Sequence, residues 1–292
     1  MALIKKDIKK VSVVVPNYNY ARYIGKRIDS IIRQTYPVYE LIVLDDASTD
    51  GSVEVIEKKL VEIRAKYPEL KVQFVRNEEN SGKVMAAWKK GWELATGDYI
   101  WIAEADDLCS RRFLEEVMKG FDDPEVVLSY AESMVINGMG LLIVPNFRWS
   151  RDKEKTGHYK KSYIKGGRQE IEEIMAIRCT IPNVSAVVVR KDPKFLGYLE
   201  QALKFTQVGD WYFYAKVLES GKIAYNCRSL NKFRIHGGSV TRNSNEQKAE
   251  QHFTEIKEMH KNFKKNYELS PAVARRMEAE IQRVEERIKI PQ

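Results

Sequence analysis

A chain of 292 residues with 43% hydrophobic side chains is long and apolar enough to bury a sizeable core, as one large domain or a domain with an appendage. Its three cysteines, Cys109, Cys179 and Cys227, form no CxxC pair, which argues against a zinc site or a disulfide framework and for a reducing compartment. The net charge of +8 favours acidic partners such as phosphates, nucleotides, nucleic acid or an anionic membrane face, while the N-terminus "MALIKKDIKK" does not read as a signal peptide and no apolar run approaches the roughly 18–20 residues of a membrane span.

The first half of the chain alternates two periodicities. "VSVVV" (11–15) is a β-branched run ended by Pro16 and Asn17, which predicts a strand buried on both faces. Ile24, Ile28, Ile31 and Ile32 follow at helical spacing. "ELIVLDD" (40–46) predicts a second buried strand, and Val53, Ile56, Leu60 and Ile63 mark one face of a second helix. "LKVQFV" (70–75) predicts a third strand. A helix over 81–97, closed by Gly97, and a fourth strand over 98–103 complete the run. Strands alternating with helices imply βαβ units, right-handed crossovers and a mostly parallel sheet. In such sheets ligands bind at the carboxyl ends of the strands. Asp45 and Asp46 end one strand and Glu104, Asp106 and Asp107 another, so both acidic groups fall on one edge.

Beyond residue 120 the pattern loosens. Strands are expected over 126–136 and 184–190. Residues 145–170, rich in basic and aromatic side chains with Gly166 and Gly167 as breakers, read as a loop or lid. Residues 210–221 predict a helix, and "KIAYN" and "LNKFRIH" two further strands. From about Asn245 the chain is charged and helical, with an interruption near Ser270–Pro271.

The acidic strand ends carry the chemistry. In an extended chain alternate residues point the same way, so Glu104 and Asp106 can approach one cation. Hard carboxylate oxygens suit Mg²⁺ or Mn²⁺, with substrate phosphates completing the coordination. The alternative is structural: Asp106 or Asp107 caps the following helix or pairs with Arg111 or Arg112. One of Asp45 and Asp46 orders its turn, and the other is free to accept from a base-ring N–H.

The arrangement of "VSVVVPNYNYARYIGKRIDSIIRQTYPVYELIVLDDASTDGS" followed by "NSGKVMAAWKKGWELATGDYIWIAEADD" resembles the family-2 glycosyltransferases, closely over about 9–115 and loosely to about 242. The resemblance implies a GT-A fold: an α/β, Rossmann-like mixed sheet flanked by helices, here with a helical C-terminal extension. It implies a catalytic domain over 1–242, with a nucleotide-binding half over about 9–115 and an acceptor half over about 116–242, and a separate extension over 243–292. It also implies an inverting, metal-dependent enzyme that uses a nucleotide sugar.

Residue by residue, the resemblance assigns Pro16, Tyr18 and Asn19 to the base pocket, Asp46 to the N3–H of a uracil or thymine ring, Asp45 to support of that loop, and Lys83 to the nucleotide. Asp106 would be the metal ligand of the Asp-x-Asp motif, with Glu104 in place of its first Asp and Ala105 between them, both counted with the nucleotide-binding residues. "AAW" (86–88) stands where the family often has Ala-Arg-Asn, so a polar contact is expected to be missing. Asp210 would be the base that takes the acceptor proton, as an inverting displacement requires. His236 would face the metal or diphosphate, flanked by Arg234 and Arg242 toward the diphosphate or acceptor. Trp211 reads equally as a sugar platform or as core.

The implied partners are a UDP- or dTDP-sugar donor, Mn²⁺ or Mg²⁺, and a surface-glycan or lipid-linked acceptor. "FRIHGGSVTR" (233–242) is similar to the corresponding stretch of O-antigen and rhamnan transferases. The C-terminal helices would pack on the domain or on a second copy in a homo-oligomer, or touch a membrane surface. The expected location is cytosolic, with contact at the inner face of the membrane. A dehydrogenase is opposed by "PNYNYA", which has no glycine-rich phosphate loop. Nucleic-acid binding is disfavoured because the basic charge is spread along the chain. A non-catalytic glycan-binding or assembly module is the competing reading.

Overall fold

A computed structural model describes residues 8–148, 157–237 and 246–289. Strand β1 (Val11–Asn17) and strand β2 (Glu40–Asp45) are buried along their whole length, as their unbroken apolar runs require. Between them α1 (Ala21–Ile32) lays Ile24, Ile28 and Ile31 on the sheet. Helix α2 (Ser52–Lys66) leads to β3 (Lys71–Arg76), the half-exposed edge of the sheet, and α3 (Val84–Leu94) to β4 (Tyr99–Ile102). These four strands are parallel, in the order β3-β2-β1-β4.

The second half turns the sheet mixed. A two-residue strand β5 (Leu108–Cys109) and α4 (Phe113–Met118) precede the long β6 (Val126–Asn137), which hairpins into β7 (Leu142–Val144). Then come β8 (Tyr163–Gly166), the single turn α5 (Gly167–Glu170) and a π-helical turn over Ile171–Met175. Strand β9 (Val187–Arg190) runs antiparallel to both β4 and β6 and joins the two halves. Helices α6 (Pro193–Ala202) and α7 (Gly209–Leu218) lead to β10 (Lys222–Ile235), which pairs parallel with β6. Helices α8 (Glu246–Asn266) and α9 (Pro271–Lys289) close the chain.

Three expectations are corrected here. The two strands expected in 222–236 are one, because shifts of register against β6 around Ser229 absorb the polar Asn226–Ser229 stretch without breaking the pairing. The expected loop over 145–170 contains β8, paired antiparallel with β10; residues 149–156 of it lie outside the described residues. Gly167 is not a breaker: it starts a helical turn, and a Cβ there would run into the carbonyls of Leu218 and Gly221.

One core lies on each face of the sheet. The first packs α1, α2 and α4 on Val11, Val13, Val15 and Trp101. The second gathers Trp88, Trp92, Phe195, Trp211 and Phe213, and includes Ile256, Met259, Phe263, Tyr267, Val273 and Met277 from α8 and α9. The apolar faces of the C-terminal helices therefore share the core of the second face. Among the described residues no helix is long and apolar enough to cross a membrane.

Candidate active site

The carboxyl ends of β1, β2 and β4, the start of α3, the end of β10 and the start of α7 supply the residues singled out in the sequence. The loop after β1 is tied to the loop after β2. Buried Asp45 accepts from Asn17 Nδ2 at 2.8 Å and from the Ser48 amide at 2.9 Å. Ser48 Oγ accepts from the Asn19 amide at 2.9 Å, and Asn19 Oδ1 from the Thr49 amide at 2.8 Å. Asn19 and Ala47 hold φ of 57° and 61°, a left-handed conformation that costs an alanine about 1–2 kcal/mol. Such strain is retained where surrounding bonds over-determine the backbone. Pro16 is buried at the end of β1, and Tyr18 stands 45% exposed above the loop.

Asp46 is engaged by its own protein. Its carboxylate accepts from Asn77 Nδ2 at 2.6 Å, from the Ser81 amide at 3.1 Å and from Ser81 Oγ at 2.8 Å. A carboxylate has about four lone-pair positions, so room for one further donor remains. Lys83, at the start of α3, reaches over to the Leu203 carbonyl at 3.2 Å.

The acidic stretch after β4 is a turn, closed by the Asp107 amide on the Glu104 carbonyl at 3.2 Å. The extended geometry expected for Glu104 and Asp106 is therefore absent, and the three carboxylates have different partners. Glu104 accepts from Trp88 Nε1 at 3.0 Å. Asp106 Oδ2 meets His236 Nε2 at 3.1 Å. Buried Asp107 accepts from the Arg234 amide at 2.8 Å and from Asn183 Nδ2 at 2.9 Å, pinning the end of β10 to the turn. Ala105 is fully buried beneath it.

Crowding these groups moves their titration. Burial, reinforced by the charge of Asp106, pushes Glu104 up to about 8 against the pull of the Trp88 N–H, although the residue keeps partial solvent exposure. The same two causes push Asp107 up to about 6.

Trp88 overturns one expectation. It occupies the stretch where a polar contact was expected to be missing, yet its indole N–H supplies one. The extra methylene of Glu104, relative to the Asp usual in that motif, carries the carboxylate toward the indole.

His236 sits between Tyr23, 4.8 Å away, and Tyr20, 5.6 Å away and edge-on. Arg234 is corrected. Its side chain is buried and spent on carbonyls, Nε on that of Asp106 at 2.6 Å and Nη1 on that of Asn137 at 3.0 Å, so it orients the acidic turn rather than offering a guanidinium to a diphosphate. Arg242 lies outside the described residues. Trp211 is core: 4% exposed, with Nε1 on the Met175 carbonyl at 3.0 Å and Phe263 packed against the ring, it has no face for a sugar.

Asp210 opens α7. Gly209 lets this helix end approach α3, since a Cβ there would meet Met85 Cγ at 2.9 Å. The Asp210 carboxylate accepts from the Trp211 amide at 2.7 Å, and burial pushes it up to about 6 while some solvent contact remains. Burial, reinforced by the charges of Asp210 and Glu104, pushes the phenol of Tyr214, one turn on, well above its ordinary range.

Sequence reasoning missed three groups. Arg27 is fully buried under the acidic turn, 5.1 Å from the Trp101 ring, and its charge lowers the titration of Glu104 and Asp107. The signal was a cation on the apolar face marked by Ile24, Ile28 and Ile31. Trp88 was read only as a departure from a motif. Glu255, buried in α8, accepts from the amides of Thr206, Gln207 and Val208 at 2.8, 2.8 and 3.1 Å, just ahead of Asp210. Nothing local distinguishes it from the other acids of a charged helix.

Among the described residues no three His, Cys, Asp or Glu side chains are grouped to hold a metal ion. Asp106 and His236 form a two-donor set, one oxygen and one imidazole nitrogen. That set fits a divalent cation that takes its remaining ligands from elsewhere.

A mixed sheet with acidic groups at the carboxyl ends of its strands is the architecture of nucleotide-sugar transferases of the GT-A type. Residues 12–176, more than half of the chain, match glycosyl transferase family 2, and the chain belongs to that family. It is 26% identical over 237 residues to the glycosyltransferase GlyA of Streptococcus pneumoniae, covering 80% of this chain and 32% of that protein. The chain thus spans about a third of the length of the curated relatives it matches. The solved structure of S. aureus TarS 1-349 in complex with UDP-GlcNAc superposes with a TM-score of 0.65 at 19% identity, covering 94% of this chain and 72% of that one. The mannosyltransferase PcManGT of Pyrobaculum calidifontis, solved with GDP-Man and Mn2+, gives 0.60 at 19% identity over 94% and 70%. At these identities the two structures establish the GT-A fold.

Proposed function

We propose that the protein transfers a sugar, with inversion, from a UDP- or dTDP-sugar to a hydroxyl of a bacterial surface glycan or its lipid-linked precursor. The observation that carries this reading is the meeting of Asp106 and His236 on the same strand-end edge as the Asp45–Asp46 loop. Similarity to the poly(ribitol-phosphate) beta-N-acetylglucosaminyltransferase TarS of Staphylococcus aureus and to the protein named as a putative teichuronic acid biosynthesis glycosyltransferase of Bacillus subtilis supports a surface glycan as acceptor.

In this reading the pyrimidine lies over Pro16–Asn19 and donates its ring N–H to the remaining lone pair of Asp46, with Asp45 holding the loop. Lys83 faces the nucleotide. Asp106 and His236 would hold Mn²⁺ or Mg²⁺, and the ion when bound supplies positive charge to the leaving diphosphate. Glu104, held by the Trp88 indole N–H, serves as a hydrogen-bonding group beside the donor. Asp210 acts as the base. As the acceptor oxygen attacks the anomeric carbon, its proton passes to the Asp210 carboxylate. The anomeric carbon–oxygen bond breaks on the opposite face, leaving its electron pair on the diphosphate. A base titrating at about 6 stays ionised at neutral pH and binds a proton more readily than an ordinary carboxylate.

The test is donor hydrolysis across UDP-, dTDP- and GDP-sugars, with and without Mn²⁺. Release of nucleoside diphosphate from one pyrimidine donor, requiring both Mn²⁺ and Asp106 and lost in Asp106→Ala, is the expected result. Turnover of a GDP-sugar alone would overturn the pyrimidine assignment. Silence across the panel together with no metal-dependent nucleotide binding would leave the non-catalytic module.

A further inference from the structure

Four of the exposed large apolar side chains stand within five residues. Met139 is 70% exposed, Leu141 and Leu142 are each 59% and Ile143 is 53%, and together they form the tip of the β6–β7 hairpin. Successive strand residues point to opposite faces, so bare Leu142 and bare Ile143 mean that neither face of the tip packs on the body. The tip is nonetheless ordered. Asn137 Oδ1 accepts from the amides of Met139 and Leu141, both at 2.9 Å, and Gly140 takes the left-handed turn at φ 89°. An ordered turn that holds contiguous apolar side chains in water marks a contact surface.

The surroundings of the tip are cationic and lead into the site. Arg22 and Lys26, exposed one turn apart on α1, line with Met139 and Arg234 a recess of about 230 Å³. A neighbouring cleft of about 510 Å³ runs from Met139 and Arg22 past Tyr23 to His236, the partner of Asp106.

We propose that this tip docks the enzyme on an anionic lipid bilayer: Met139, Leu141, Leu142 and Ile143 enter the interface, Arg22 and Lys26 meet headgroup phosphates, and the cleft to His236 opens at the bilayer surface. The proposal rests on the transferase reading with a lipid-linked acceptor. Two observations select a bilayer over a second copy of the chain. A symmetric contact would set Arg22 and Lys26 of one copy close to those of the other. Four side chains also cover far less than the roughly 800 Å² per partner of a stable protein interface. Apolar side chains rimmed by cations, on a chain of net charge +8, are the complement of an anionic interface.

The experiment is co-sedimentation of the full chain with vesicles of phosphatidylcholine alone or mixed with phosphatidylglycerol, at low and high salt. Wild type is expected on the mixed vesicles only. The triple variant L141S/L142S/I143S is expected to bind roughly tenfold more weakly or worse, and R22Q/K26Q to lose the salt-sensitive part of binding. Thermal melts and nucleoside-diphosphate binding of each variant establish that it is folded. Wild type absent from anionic vesicles, or a folded triple variant that still binds them fully, overturns the proposal. So does a dimer seen by light scattering that the triple variant abolishes, which would assign the tip to a second copy. Nucleotide binding separates the two readings: its absence in wild type defeats the transferase reading, whereas its retention without vesicle binding defeats only the docking surface.

Discussion

Glu104 and Asp210 are both carboxylates at the strand-end edge, and their surroundings divide the work between them. Glu104 titrates at about 8 and has an indole N–H for a partner. Trp88→Phe removes that donor and leaves the ionised form less satisfied. We expect its stability loss, by urea unfolding, to be larger at pH 9 than at pH 6 by about 2 kcal/mol, the packing loss being common to both. Asp210 rises from an unfolded value of about 3.9 to about 6 in the fold. The folded state therefore binds this proton more tightly, so the contribution of Asp210 to stability is fully present below pH 4 and is lost as pH rises to 6. Asp210→Asn should consequently gain on the order of 2 kcal/mol at pH 7 and nothing at pH 4, as read from melts at the two pH values. Transfer by the same variant should fall by about 10² or more, and wild-type activity should fall away below about pH 6 as Asp210 takes up its proton. A variant no more stable at pH 7 than wild type would mean that Asp210 ionises without cost and is not the crowded group described.

At the level of elements, the acidic turn and the start of α7 are held by distant parts of the chain. Arg234 and Asp107 bind the end of β10 to the turn, and Glu255 of α8 gathers three amides ahead of Asp210. Glu255→Ala removes the acceptor of three amides, that of Val208 buried and those of Thr206 and Gln207 partly so, and each charge-assisted bond contributes about 1.5–3 kcal/mol. We expect faster amide exchange over 206–210, a Tm lowered by several degrees, and a fall in kcat with the donor KM little changed. Glu255→Gln, which keeps one acceptor oxygen, should recover part of each. Unaltered exchange at Thr206–Val208 would show that the loop is held by something else. These positioning residues were hidden in the sequence because their partners lie tens of residues away: an acid in a charged helix looks the same whether it faces water or three amides.

For the molecule as a whole, the second core is shared between the sheet and the C-terminal helices. Ile256, Met259, Phe263, Tyr267, Val273 and Met277 are all buried in it. At about 1.5–3 kcal/mol for each large apolar side chain removed from water, these six together are comparable to the roughly 5–15 kcal/mol stability of a typical domain. A chain ended at residue 245 is therefore expected to lose cooperative thermal unfolding, measured by circular dichroism, and to bind no nucleotide. A cooperative melt of the truncated chain would make 243–292 an independent unit.

The sequence by itself determined the βαβ run over the first hundred residues, the edge on which its carboxylates gather, the family and the helical C-terminus. Each of these depends on periodicity or on motifs read along the chain. Only the tertiary structure decided that Glu104 turns to Trp88 while Asp106 turns to His236, that Arg234 and Trp211 are structural, that β9 makes the sheet mixed, and that α8 and α9 belong to the core. Those outcomes depend on which groups meet through space, and a buried carboxylate, guanidinium or indole takes its role from the partner that satisfies it.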